Sequence, residues 1–126
     1  MEDPAEQFRR AFDVELAGDR KEAEKLLDAG LQDLIASHAC DWVDVFAMSL
    51  VRVRRLMGDA VGAREAVRAA SCACPNALGA AHLLASLEIE LGCAPEAESA
   101  LKRFEHLTTT STSEFAGPYR DFIPIL

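Results

Sequence analysis

Positive charge is scarce in this chain. Thirteen lysines and arginines stand against 21 acids in 126 residues, a formal net charge of -8. Phosphate contacts need surface lysine and arginine, so no nucleic-acid partner is expected. Aromatic residues make up only 6%. Strands draw on aromatic and β-branched side chains, and their scarcity beside abundant alanine and leucine points to closely packed helices. No apolar run approaches the roughly 18 residues that a membrane-spanning helix requires. The opening MEDPAEQFRR carries acids where a secretory leader would be basic and then apolar, so a cytoplasmic protein with no membrane partner is expected. There is no glycine-rich phosphate loop, and His38, His82 and His106 have no serine or cysteine partner at motif spacing. With the acids scattered over helix faces, the chain reads as a non-enzyme without a cofactor.

What is present is a repeated punctuation mark. LAGDRKEAEKLL from Leu16, LMGDAVGAREAV from Leu56 and ELGCAPEAESAL from Glu90 align on Gly18, Gly58 and Gly92, which lie 40 and 34 residues apart. In each segment a helical run ends at the glycine, a short loop follows, and an alanine (Ala23, Ala63, Ala97) sits five residues on. Glycine suits the positive-φ stop after a helix, and alanine suits the tight crossing of two antiparallel helices. A period of this size marks helix pairs that bury their apolar faces only by stacking on one another.

Apolar residues at steps of three and four predict six helices: Pro4 to Ala17, Arg20 to Ser37, Asp41 to Met57, Ala60 to Ser71, Asn76 to Leu91 and Pro95 to Leu107. Asp3 and Asp19 are placed to cap the first two. Asp41 and Asp44 put negative charge on the first turn of the third, Asn76 opens the fifth after Pro75, and Pro95 is tolerated at the start of the sixth. Stripes such as Val43, Phe46, Ala47, Leu50 and Val51, or Leu83, Leu84, Leu87 and Leu91, are core candidates.

The middle segment, with Leu50, Gly58, Asp59, Ala63, Ala70 and Pro75, resembles the tetratricopeptide repeat. The outer segments keep the turn glycine and its alanine but have Gly30 and Phe104 in place of the later alanine. Ala47 and Ala81 stand where the family has a large aromatic. The first joint, around ASHACD, is longer than usual, which would rotate the first pair from the regular superhelix. The resemblance implies an all-α solenoid of three stacked antiparallel helix pairs over residues 1–107, with a linker and an apolar tail over 108–126. It also implies a concave face lined by the first helix of each pair, presenting Phe8, Phe12 and Leu16, then Met48, Arg52 and Arg55, then His82, Ser86 and Ile89. The lysine and asparagine clamp that one subgroup uses for a terminal carboxylate is absent, since Phe8, Phe12, Ser49, Gly79 and Leu83 occupy its positions.

Phe8, Phe12, Met48, Arg52, Arg55, His82 and Ser86 are therefore the candidate partner-binding residues. Apolar anchors supply affinity and arginine forks supply geometry for a protein segment carrying carboxylates. Two structural alternatives accompany them: Phe8 and Phe12 seal the end of the stack, and Arg52, Arg54 and Arg55 pair with neighbouring acids between helices. Cys40, Cys72, Cys74 and Cys93 lack the disulfide spacing of small secreted domains. A zinc site from His38, Cys40, Cys72 and Cys74 would share one edge of the stack, but HxC and CxC lack the gap of zinc knuckles, so reduced thiols are expected. In the tail, Thr108 to Ser113 read as linker. Phe115, Tyr119, Phe122, Ile123, Ile125 and Leu126 follow, expected to cap the last pair or to mediate self-association. Two functional classes result: an interaction module, adaptor or dedicated client chaperone, and a small acidic immunity or inhibitor protein that neutralises a specific toxin or enzyme.

Overall fold

The computed structural model describes residues 3–110. Its elements are α1 (Pro4–Leu16), α2 (Arg20–Ala36), a 3-10 turn (Cys40–Trp42), α3 (Val43–Leu56), α4 (Ala60–Ala73), α5 (Leu78–Glu90) and α6 (Ala94–Thr110), with no strand among the described residues. The three joints within pairs share one construction. Gly18, Gly58 and Gly92 have φ of +92°, +79° and +73°. Beyond each, an amide reaches five residues back: Asp19 to the Val14 carbonyl, Asp59 to Arg54 and Cys93 to Glu88, at 3.2, 2.8 and 2.9 Å. This is the Schellman stop, and it satisfies carbonyls that the helix end leaves bare. Asp19 and Asp59 then cap the following helix, accepting from the amides of Glu22 (3.1 Å) and Gly62 (2.9 Å). One residue thus closes a helix and opens the next.

The helices form three antiparallel pairs stacked in sequence. Each helix packs on its successor, while α3 also lies against α5 and α2 against α4. Such contacts between equivalent helices of successive pairs are what a solenoid requires. Ala23 and Ala63 are fully buried and Ala97 nearly so, as expected at the crossings. The core runs continuously from Ala11 through Leu27, Leu31, Phe46, Leu50, Val53 and Val67 to Leu87. Each large side chain in it contributes about 1.5–3 kcal/mol by leaving water. Gly30 lies under Phe46 so closely that a Cβ there would meet ring carbon Cε1 at 2.4 Å. The glycine standing in place of alanine is therefore a response to that ring.

Several sequence expectations change. The fifth helix starts at Leu78, two residues after Asn76, and its cap arrives from another pair: the Asp44 carboxylate accepts from the amides of Gly79 (3.0 Å) and Ala80 (2.8 Å). The segment from Asp41 begins as a 3-10 turn, with the α-helix starting at Val43. The long first joint turns at His38, whose φ of 55° is the left-handed conformation taken elsewhere by glycine. Helix α6 runs through the threonines expected as linker, as far as Thr110. Thr108 is buried, and its hydroxyl and that of Thr109 donate to the Glu105 carbonyl, which absorbs their competition with the backbone. The reduced-thiol expectation fails for one pair: Cys40 and Cys74 are joined by a disulfide, with Cα atoms 5.8 Å apart. With both sulfurs engaged and Cys72 exposed, the four-residue zinc site with His38 does not form. The apolar tail from Phe115 to Leu126 lies outside the described residues. No helix among those described is long and apolar enough to cross a membrane.

Candidate functional site

Large apolar side chains left in water are not scattered evenly over the stack. Among the described residues, Phe12 and Leu16 on α1, Val45, Met48 and Leu56 on α3, Met57 capping α3, and Ile89 on α5 are exposed; Val61 on α4 is the exception. They belong to the first helices of the pairs, whose inner stripes are already satisfied by the core. At the centre lies a groove of about 400 Å³ lined by Met48, Val51, Arg52, Arg55, Leu56 and Leu83. α3 supplies most of this lining because a helix packed between two others keeps one free face. Met48, Arg52 and Arg55 fall on that face at spacings of four and three.

The two groove arginines are tied to the flanking pairs. Arg52 makes a two-point bond to Glu15 of α1, with Nε at 3.2 Å from Oε2. Arg55 pairs with Glu90 near the end of α5. Both guanidinia remain close to half exposed, at 47% and 46%. Exposed pairs contribute at most about 1 kcal/mol, which describes Arg55–Glu90, where the acid is 41% exposed; Glu15 is only 18% exposed, so its pair with Arg52 is the more sheltered of the two. Arg54 is different. It turns away from the groove to the Gly62 carbonyl (2.9 Å) and lies 3.6 Å from Asp28 and 3.9 Å from Glu24.

The remaining candidates divide. Phe12 is 44% exposed beside Phe8 (ring centroids 6.5 Å), whereas Phe8 is half-buried, edge-on to Phe46 at 5.7 Å. Phe8 thus seals the first pair while Phe12 stays available. His82 lies at the seam of the third pair, its ring 5.3 Å from that of Phe104 on α6. Burial there holds its pKa below the ordinary histidine value. Ser86 is half-buried one turn further on. The structure therefore gathers Met48, Arg52 and Arg55 into one groove and does not bring His82 or Ser86 into its lining. Three lining residues went unread. Val51 belongs to a core stripe and Leu56 to the edge of a turn, and Leu83, which matches a clamp position of the concave face, is also part of a core stripe, so none of the three stands among the candidate partner-binding residues.

No family model and no curated protein matches the chain. Among solved structures it is similar to the type III secretion translocator chaperone SycD of Yersinia enterocolitica, at 18% identity over 98% of this chain and 89% of that one, with a TM-score of 0.68. It is also similar to SycD in complex with a peptide of the translocator YopD, at 19% identity over 96% and 92% of the two chains, with a TM-score of 0.63. At such identities the likeness is one of fold, and the fold shared is an all-helical stack of repeat-like pairs.

Proposed function

We propose that this chain is a non-enzymatic interaction module of the tetratricopeptide-repeat type, a chaperone for a dedicated client that holds an apolar segment of its partner on the face formed by α1, α3 and α5. The carrying observation is the concentration of exposed apolar side chains on those helices around the Met48–Leu83 groove. A contiguous apolar surface is costly to leave in water unless something covers it. That a similar fold occurs in complex with a translocator peptide supports a peptide-like occupant. Apolar anchors would seat on Met48, Leu56 and Leu83, and carboxylates would exchange onto Arg52 and Arg55. The reading includes a cytoplasmic setting. There the glutathione pool would open the Cys40–Cys74 bridge to adjacent thiols, so the disulfide belongs to the oxidised protein.

The test begins with the partner recovered by tagging the chain in its native source and identifying what co-purifies. Binding of that partner is then compared for Met48→Glu and Val61→Glu, which place the same charge on exposed apolar positions of α3 and α4. Met48→Glu should weaken binding at least tenfold, about 1.4 kcal/mol, and Val61→Glu should leave it unchanged. Equal effects of the two variants would refute the groove. A partner whose catalytic turnover falls on binding would favour the inhibitor class over the chaperone class.

A further inference from the structure

We propose that the joint between α5 and α6 is a binding site for a thiophilic divalent cation of the zinc class, with Glu88, Cys93 and Glu96 as its protein ligands. One ligand atom from each of the three, a carboxylate oxygen or Sγ, lies within 4.8 Å of the others. Tetrahedral zinc with bonds of about 2.0–2.3 Å needs ligand atoms about 3.3–3.8 Å apart, so closing the site asks for side-chain movement of about 1 Å.

Three features separate this cluster from ordinary surface acids. Glu88 is 1% exposed, a carboxylate lost from water on the packed side of α5. Its Oε1 accepts from Arg68 Nε at 2.7 Å, yet its Oε2 is buried with no hydrogen-bond partner. A bare buried carboxylate oxygen is destabilising because it has given up its water without a replacement, and a cation would offset that loss. Arg68 would then act as the outer group that orients a metal-bound carboxylate, leaving the second oxygen for the ion. The second feature is Cys93 itself. It stands where the other two joints carry the capping aspartates Asp19 and Asp59, and its Sγ accepts from Arg64 Nη1 at 3.2 Å. The third is Glu96, which sits in the first turn of α6, three residues after Cys93.

Binding accounts for every proton and leaves one net negative charge, which Arg68 faces with its Nε 2.7 Å from Glu88 Oε1. The Cys93 thiol would release its proton to solvent, and the thiolate with two carboxylates would give three negative charges against two on the ion. Arg64 already contacts Glu65 at 3.2 Å and can turn fully to it as the sulfur moves to the metal. Water would complete the fourth position. Sulfur among the ligands favours zinc over magnesium or calcium.

Cobalt(II) titrated into the purified full chain tests this, because thiolate bound to cobalt gives a charge-transfer band that carboxylates do not. One equivalent should saturate the band, and zinc should remove it. Cys93→Ser should abolish the band, Glu96→Gln should weaken the affinity more than about tenfold, and Cys72→Ser should change nothing. Circular dichroism checks that each variant is folded; Glu96, being exposed, gives a variant independent of any folding role of Cys93. No band in the wild type, a band that survives Cys93→Ser, one lost with Cys72→Ser, or an unchanged affinity in Glu96→Gln would each overturn the assignment.

Discussion

Replacing Gly30 with alanine sets two effects of known size against each other. Gly30 lies in the interior of α2, where alanine is favoured over glycine by about 0.8–1.0 kcal/mol through helix propensity alone. Against that gain stands the ring of Phe46. The new Cβ would lie 2.4 Å from Cε1 and 3.0 Å from Cδ1, where ordinary contact begins near 3.4 Å. Phe46 is fully buried and is met by Phe8, 5.7 Å away between ring centroids, so the ring cannot retreat without disturbing the seal of the first pair. Overpacking of this kind costs about 1–3 kcal/mol. A contact more than about 1 Å too short belongs at the upper end of that range, so the net expectation is a loss of about 1–2 kcal/mol. Urea denaturation followed by far-ultraviolet circular dichroism measures it as a lower midpoint at unchanged slope. In a Phe46→Leu background the clash is relieved, and Gly30→Ala should become neutral or stabilising. A wild-type background in which Gly30→Ala stabilises would mean that Phe46 is not held over Gly30, and the packing of α2 on α3 would need redrawing.

Two further outcomes follow from the structure. The Cys40–Cys74 bridge closes a loop with a sequence separation of 34, for which chain entropy gives about 3.8 kcal/mol. Cys40→Ala should therefore lose about 2–4 kcal/mol, and a dithiol reductant should lower the melting temperature of the wild type but not of the variant. His82 carries a pKa lowered by burial, so its protonation favours the unfolded chain. Its contribution is complete above the unfolded value near 6.5 and is lost as pH falls below that toward the folded value. Stability measured between pH 7 and pH 5 should accordingly fall less in His82→Phe than in the wild type.

The fold was largely legible because its signals are local. Gly18, Gly58 and Gly92 take the positive φ that their spacing implied, and Ala23, Ala63 and Ala97 are buried at the crossings. Asp3 and Asp19 cap the helices they precede. What escaped depends on which pair lies beside which. Cys40 and Cys74 do not look like a disulfide by the spacing of small secreted domains, yet their separation of 34 equals that of Gly58 and Gly92. One repeat apart on the same edge is where stacking brings two residues together. Asp44 does put its charge on the first turn of α3, but its second task, capping α5, is not visible locally because those partners lie 35 and 36 residues on. The groove was legible on α3, where Met48, Arg52 and Arg55 share a face, and less so on α5. That helix is apolar on nearly every side, so its periodicity does not say which side meets α6, and His82 went to the seam. That Arg52 and Arg55 pair with neighbouring acids follows from the charge pattern, but only the stacked pairs identify those acids as Glu15 and Glu90.

The carboxylate of Asp44 gives the chain an order of assembly. Ala77, which precedes α5, offers no side-chain cap, and the first amides of that helix find their acceptor on α3. Helix nucleation is the expensive step, and a helix of 13 residues is marginal alone. The third pair must then wait for the second to present its acid, so the array would grow from the middle toward the C-terminal end. Native-state hydrogen exchange would register this as directional opening: amides of α5 and α6 would exchange while α3 stays protected, and α3 would never open with α5 still closed.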